Sequence, residues 1–212
     1  MRVDQTRRMV VVTVPLRCRE IDAEHFVRKH LEWARERLAR APSIVDFVPG
    51  ATVPLRGVGH TIVHSGDRSR GRVVEPAMEN GATLLRINGR AEYVPRRVKD
   101  WLVGEACSDL DRAVQRYCAT LGLRARALTI RDQGSRWGSC SSNKTLSFSW
   151  RLIMAPPRVL DYVAAHEVAH LAEMNHGPRF WALIKRAMPE MEEARGWLRQ
   201  NGAELHRYAP RN

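Results

Sequence analysis

The chain has 212 residues, of which 44% are hydrophobic, so it can bury the core of one large domain or two small ones. It carries 35 basic and 23 acidic residues, and its net charge of +12 is spread over both halves without a long basic block. No apolar run approaches the roughly 18 residues of a membrane span, and the N-terminus lacks the apolar segment of a secretion signal. We therefore expect a cytoplasmic protein that does not associate with a membrane.

The N-terminal region, residues 1–94, is predicted to be rich in β-strands and to contain one helix. Residues 9–14 are mostly β-branched and predict a strand, and residues 21–41 have helical spacing with Asp22 as a candidate N-cap. Residues 47–90 follow as short β-prone segments broken by Gly and Pro.

The C-terminal region, residues 95–212, alternates helices and strands and predicts an α+β domain. Four helices are predicted: residues 95–121, a helix that begins at Pro156 and Pro157, residues 178–187 and residues 191–201. The predicted strands cover residues 127–131 and 145–153. This order favours a helix packed on a small mixed or antiparallel sheet. The two regions could also form one continuous domain.

An H-E-x-x-H motif, His166 to His170, is the strongest chemical signal in the chain. On a helix, residues four apart lie about 400° apart around the axis and share one face. Two imidazoles on one face can bind one Zn²⁺, and Glu167 beside the first histidine can act on the water at that ion. The sequence therefore predicts a zinc site with its own general base.

A third histidine, His176, follows His170 by six residues. On a continuous helix it would lie about 15 Å along the axis from His166, so it joins the same ion only if the helix ends and the chain turns back. The metzincin pattern has Gly at the turn position, where this chain has Glu173. We therefore expect the turn later, around Asn175.

The Gly- and Ser-rich segment 134–142 also contains Arg136, Trp137 and Cys140. Arg and Trp are unusual in a plain turn, which indicates packing or contact near the metal. Cys140 is an alternative fourth zinc ligand, although it would close the site to water. The four cysteines of the chain form no C-x-x-C pair, so we expect unpaired thiols.

Several motifs together resemble the YgjP-like metallopeptidase family, which is similar in motif layout to the SprT-like proteases. They are the run 135–141, the segments 150–157 and 161–163, the H-E-x-x-H motif, and residues 175–181 with His176, Phe180 and Trp181. The resemblance is dense over residues 124–205. It implies a zincin-like fold and one Zn²⁺ per chain on His166, His170 and His176, with Glu167 as the general base.

A zinc metallopeptidase would hydrolyse peptide bonds with a zinc-activated water. Arg136, Tyr162, His206 and Tyr208 are candidates for contacts to the substrate or the transition state. Asp161 and Glu173 are candidate acceptors for the N–H groups of the ligands. Strand 145–153 could present its edge to an extended peptide.

Two other functions remain open at this point. Zinc together with many arginines could hydrolyse a phosphoanhydride, as in a nucleotide pyrophosphatase. The charge of +12 also permits a DNA-associated protease or binding module. A peptide or protein substrate is the partner we expect, and the sequence determines neither the cleavage specificity nor the oligomeric state.

Overall fold

The computed structural model describes residues 1–4, 9–39, 43–66, 72–134 and 136–210. The chain divides into two compact units, Met1–Ile44 and Val45–Asn212. The boundary expected between residues 94 and 95 therefore falls inside the second unit. Within the described ranges, every helix is too short or too polar to cross a membrane.

The first unit contains two short strands and two helices. Strands β1 (Arg2–Asp4) and β2 (Met9–Val11) pair in antiparallel orientation, and they are followed by α1 (Glu20–Lys29) and α2 (Leu31–Ala39). The single helix predicted here is thus interrupted at His30, whose backbone leaves the helical region at φ −110° and ψ 12°.

The second unit is an α+β fold, as predicted. Its strands are β3 (Thr52–Leu55), β4 (Val58–His64), β5 (Val74–Glu79), β6 (Ala82–Ile87), β7 (Ala127–Arg131), β8 (Gly138–Cys140) and β9 (Thr145–Ser149). Its helices are α3 (Val94–Leu121), α4 (Pro157–Ala169), α5 (Pro178–Ala187) and α6 (Met191–Asn201). Short 3₁₀ helices lie at Ala91–Tyr93, Trp150–Met154 and Gly202–Arg207.

The first sheet of this unit has the order β3-β4-β6-β5, with two antiparallel hairpins joined by the parallel pair β4 and β6. The inward-facing side chains of its strands alternate with exposed ones and belong to one buried cluster that includes the apolar stripe of α3. The fully buried members on α3 are Val94, Val98, Leu102, Ala106 and Leu110.

The tip of the β3–β4 hairpin anchors this sheet to the rest of the unit. Arg56 and Gly57 both have positive φ, 51° and 81°, as a tight two-residue hairpin turn requires. The Arg56 N–H donates to the carbonyl of Ile153 at 2.7 Å, and its guanidinium binds Asp109 and Glu105 on α3 at 2.7 Å.

The second sheet has the order β7-β9-β8, so β9 is its central strand. Strand β7 is parallel to β9 and β8 is antiparallel to it. The strand predicted over residues 145–153 ends at Ser149, because the Ser149 hydroxyl accepts the N–H of Arg151 and the chain continues as a buried 3₁₀ helix. The prediction that this strand offers a free edge to a peptide is wrong, since both of its edges are paired.

Arg151 is the buried charge that attaches the end of β9 to the C-terminal segment. Its side chain is 1% exposed, and Nε donates to the Asp132 carboxylate at 3.0 Å. Nη1 donates to the carbonyls of Leu205, at 3.1 Å, and Tyr208. A planar guanidinium can serve all of these acceptors at once.

We expect Arg151→Lys to lower the free energy of unfolding by about 2–4 kcal/mol. A single ammonium cannot reach all of the acceptors that the guanidinium serves, so some of them would be left without a hydrogen-bond donor. Urea unfolding followed by circular dichroism measures the change. Arg158→Lys is the matched control: Arg158 is 56% exposed where it pairs with Glu193, and the loss there should stay below about 1 kcal/mol. Equal losses in the two variants would contradict this role of Arg151.

Candidate active site

Helix α4 carries the first two histidines and Glu167 through the core. Its N-terminus begins at Pro157, and most of its side chains are buried, as a helix enclosed by other elements requires. The helix ends at Ala169, with His170 as its C-cap. The Nε2 atoms of His166 and His170 lie 3.2 Å apart, so the i and i+4 spacing brings both imidazoles to one point.

The chain turns back immediately after the helix. The N–H groups of Leu171 and Ala172 bond to the carbonyls of Val168 and Ala169 in i→i−3 fashion, at 3.0 and 3.1 Å, which tightens the end of the helix. The chain leaves the helix at residues 170–172 and bends again at Met174 and Asn175, where we expected the turn, without a residue of positive φ. His176 Nε2 then lies 3.0 Å from His166 Nε2.

The three imidazoles fit one metal ion. Their ligating nitrogens all lie within 4.8 Å of one another, and they form the one group of three or more possible ligands in the described part of the chain. A tetrahedral Zn²⁺ with bonds of about 2.0–2.1 Å holds its ligand atoms about 3.3 Å apart. The observed separations of 3.0 and 3.2 Å are close to this value. Cys140 is not in the group, so the structure gives no support for it as a fourth ligand.

Burial and the neighbouring imidazoles favour the neutral forms of His166 and His170, and the neutral form is the one that binds metals. Burial, together with the nearby His170, His176 and Arg195, lowers the pKa of His166 to about 4. Burial also lowers the pKa of His170. The carbonyl of Glu173 lies 3.0 Å from His170 Nδ1 and can only accept a hydrogen bond, so Nδ1 carries the proton and Nε2 keeps its lone pair.

An aromatic pair on α5 supports the three histidines. Phe180 is fully buried, and its ring centroid lies 4.9, 4.6 and 4.7 Å from those of His166, His170 and His176. The indole N–H of Trp181 donates to the carbonyl of His176 at 3.0 Å. In the sequence, these two aromatics stand out only as part of a family motif. Their positions four and five residues after the third histidine are the one local indication that they pack on it.

Glu167 lies on the buried side of the site against strand β8. Its side chain is 5% exposed, and a Cβ atom at Gly138 would lie 2.6 Å from both Cγ and Oε1 of the carboxylate. Burial raises the pKa of Glu167 to about 7, against the opposing charge of Arg136. A cation held by the histidines would lower this pKa again. With a cation bound, the carboxylate would therefore be ionised at neutral pH, as a proton acceptor has to be.

The remaining predicted residues differ in their relation to the site. The ring of Tyr162 packs edge-on against His166, with centroids 5.9 Å apart. Arg136 is exposed, and its positive charge lowers the pKa of Glu167. His206 stacks on Trp137 at 4.9 Å. Tyr208 pairs through its backbone with Val45.

The two carboxylates proposed as acceptors for the ligand N–H groups do not have that role. Asp161 binds Arg116 on α3 instead. Glu173 contributes its backbone carbonyl to His170, where we expected its carboxylate.

Comparison with known proteins gives this site its class. A family model described as "YgjP-like, metallopeptidase domain" matches residues 1–201. The chain is thus a metal-dependent peptidase by family. It belongs to the YgjP-like metallopeptidases.

Two solved structures are similar to part of the chain. The metallopeptidase zymogen abylysin of Pyrococcus abyssi is 19% identical, with a TM-score of 0.41, over 47% of this chain and 98% of that chain. The zymogen of Methanocaldococcus jannaschii jannalysin is 20% identical, with a TM-score of 0.39, over 43% of this chain and 95% of that chain. A search of curated proteins found no match.

We expect metal-free Glu167→Gln to be more stable than the metal-free wild type by about 1–3 kcal/mol at pH 8. The folded-state pKa of about 7 lies above the ordinary value of 4.5. The unfolded chain therefore loses its proton first as the pH rises, and the wild type loses stability across this window. Glutamine does not titrate, so its advantage should grow from pH 5 to pH 8.

Urea unfolding in the presence of a chelator at the two pH values measures this difference. Glu75→Gln, at an exposed carboxylate, is the control and should show no such trend. An advantage for Glu167→Gln that stays constant with pH would mean that burial does not raise the pKa of Glu167.

Proposed function

We propose that the protein is a zinc metallopeptidase in which His166, His170 and His176 hold one Zn²⁺ and Glu167 is the general base. The observation that carries the proposal is the convergence of three imidazoles beside the buried carboxylate of Glu167. His166, His170 and His176 would hold the Zn²⁺, which would supply Lewis-acid polarisation of a carbonyl. Glu167 takes the proton of the attacking water and delivers it to the leaving amine.

Strand β8 is the element that we propose pairs with the peptide. It is an edge strand, and Gly138 lies against Glu167. Its flanking residues bond to β9: the Ser149 N–H donates to Trp137 and the Ser141 N–H to Thr145, at 2.9 and 3.0 Å. Hydrogen-bonded and non-bonded pairs alternate along an antiparallel ladder. The backbone groups of Gly138 and Cys140 therefore point to the free edge, where an extended peptide can bind them.

Tyr162 is better suited to hold His166 in position than to contact a substrate, because its side chain is buried and its ring packs on the imidazole. Tyr208 and His206 have contacts to Val45 and Trp137 that give no support for a role in stabilising the transition state. Arg136 is the exposed residue that remains as a candidate for a contact to the substrate.

The nucleotide pyrophosphatase alternative has weaker support. The Gly- and Ser-rich segment that could have enclosed phosphates contains the paired strand β8. Among the described residues, the one group of possible metal ligands consists of histidines, whereas Mg²⁺ on a nucleotide favours oxygen ligands. Hydrolysis of a panel of nucleoside triphosphates, compared with cleavage of an unfolded protein, distinguishes the two activities.

We expect one zinc per wild-type chain and cleavage of an unfolded protein, but not of nucleoside triphosphates. His176→Ala should lose zinc by at least about tenfold in affinity, because a two-imidazole site has too few ligands. Glu167→Gln should keep its zinc and lose at least about 100-fold in kcat/KM, because it lacks the base. Mass spectrometry of the metal and a peptide hydrolysis assay measure the two effects.

His25→Ala, at an exposed histidine of α1, is the control and should change neither quantity. Full zinc occupancy in His176→Ala would remove this residue from the site. Hydrolysis of triphosphates alone would replace the peptidase with the pyrophosphatase.

We expect Gly138→Ala to reduce kcat/KM by about 10- to 100-fold while zinc is retained. The new methyl group would displace the Glu167 carboxylate, and a displacement of about 1 Å can cost about 100-fold in rate. Gly134→Ala is the matched control, because a Cβ atom there meets no atom within 4 Å. Wild-type activity in Gly138→Ala would show that the base does not need this close approach.

A further inference from the structure

Positive charge is concentrated in the segment that contains β8. Residues 112–160 hold nine basic side chains and a single acidic one, Asp132, and this acid is bound to the buried Arg151. Arg112 pairs with a carboxylate on its own helix, and Arg116 and Arg158 have carboxylate partners elsewhere in the chain. The other five basic residues have no ion pair within the described ranges; they are Arg124, Arg126, Arg131, Arg136 and Lys144.

Two of these five cations lie at opposite ends of β8. Arg136 precedes Gly138 by two residues, and Lys144 lies in the turn to β9, where its N–H donates to Ser141 at 2.9 Å. Both side chains are exposed. A third exposed cation, Arg179, follows His176 by three residues on the first turn of α5.

Both flanking cations belong to the segment that meets Glu167. A Cβ atom at Gly138 would lie 2.6 Å from the Glu167 side chain, and Arg136 and Lys144 lie on the two sides of Gly138 in the chain. On the other side of the site, the loop between His170 and His176 contains one acid, Glu173. The exposed Arg179 follows that loop and offsets the charge of Glu173, whereas residues 133–160 contain no acid, so the edge that would bind the peptide is the more positive side.

The spacing of these charges defines which substrate residues they would meet. A strand advances about 3.3 Å per residue, so the β8–β9 turn lies roughly 10 Å from Gly138, or about three residues of a paired peptide. Arg136 lies about two residues from Gly138 in the other direction. Opposite charges at these two positions would leave the peptide bond next to Glu167.

We infer that the free edge of β8 beside Glu167 selects acidic peptide segments, with Arg136 and Lys144 binding Asp or Glu side chains on the two sides of the scissile bond. The inference rests on the proposed peptidase function and adds its substrate class. Exposed ion pairs contribute little each, at most about a fivefold effect. Two of them together predict roughly a tenfold preference for an acidic over a lysine-containing peptide at low ionic strength.

The test starts from cleavage of an unfolded protein by the zinc-loaded wild type, with the cut sites mapped by mass spectrometry. A series of fluorescence-quenched peptides then uses the sequence around the most rapidly cleaved site. Its members carry Glu, Gln or Lys at two positions, two residues from the scissile bond on one side and three residues from it on the other. We expect the order Glu, Gln, Lys in kcat/KM, with the difference mainly in KM. The preference should shrink in 0.5 M salt, which is roughly three times the physiological ionic strength.

Charge reversal assigns the preference to residues. Arg136→Glu with Lys144→Glu should abolish or invert the order of the three peptides. Arg124→Glu makes the same kind of change beside β7, at the opposite edge of the same sheet, and should leave the order intact. Equal cleavage of all three peptides, or a preference that survives the double reversal, would overturn the inference.

A binding experiment distinguishes the proposed peptidase chemistry from the proposed preference for acidic peptides. It measures the binding of the same labelled peptides to zinc-loaded Glu167→Gln by fluorescence anisotropy. If no peptide is cut but the acidic peptide binds about tenfold more tightly, the proposed peptidase chemistry fails and the selectivity stands. If binding is indifferent to charge, the selectivity fails. Complete displacement of the acidic peptide by an equal concentration of a single-stranded oligonucleotide would assign the surface to nucleic acid instead.

Discussion

The site depends on the end of one helix. His166 and His170 converge through helical spacing alone, but His176 can reach them only because α4 stops at Ala169 and the chain reverses. Backbone bonds of the i→i−3 type make the reversal, and Phe180 fills the space beneath all three rings. A metal site formed in this way is only as rigid as the turn and the aromatic ring that hold its third ligand.

A second constraint is the close contact between α4 and strand β8. Glu167 is buried beside Gly138, and no larger residue fits there without moving the carboxylate. The same contact places the free edge of β8 beside Glu167, so that one approach of helix and strand would determine both the proposed proton transfer and the proposed position of the peptide. The flanking residues Arg136 and Lys144 are exposed on the two sides of that edge, where the proposed acidic substrate would meet them.

The sequence predicted what depends on local periodicity and missed what depends on backbone geometry. Helices α5 and α6 have the predicted bounds, because a proline or a change in polarity marks each end. The alternation of β9 continues past Ser149 into a buried 3₁₀ helix, so its end was misplaced. The turn after His170 uses no Gly or Asn, and three-residue β8 is too short to show a period. Its role as the free edge follows only from the pairing of the sheet.

X-ray absorption at the zinc edge of the zinc-loaded protein would test the central claim most directly, because it counts and identifies the atoms around the ion. The account predicts three imidazole nitrogens and one oxygen at about 2.0 Å. The first shell should lose one imidazole in His176→Ala. A sulfur atom at about 2.3 Å would bring Cys140 into the site and close it. Two imidazoles in the wild type would show that the turn after α4 does not deliver His176 to the metal.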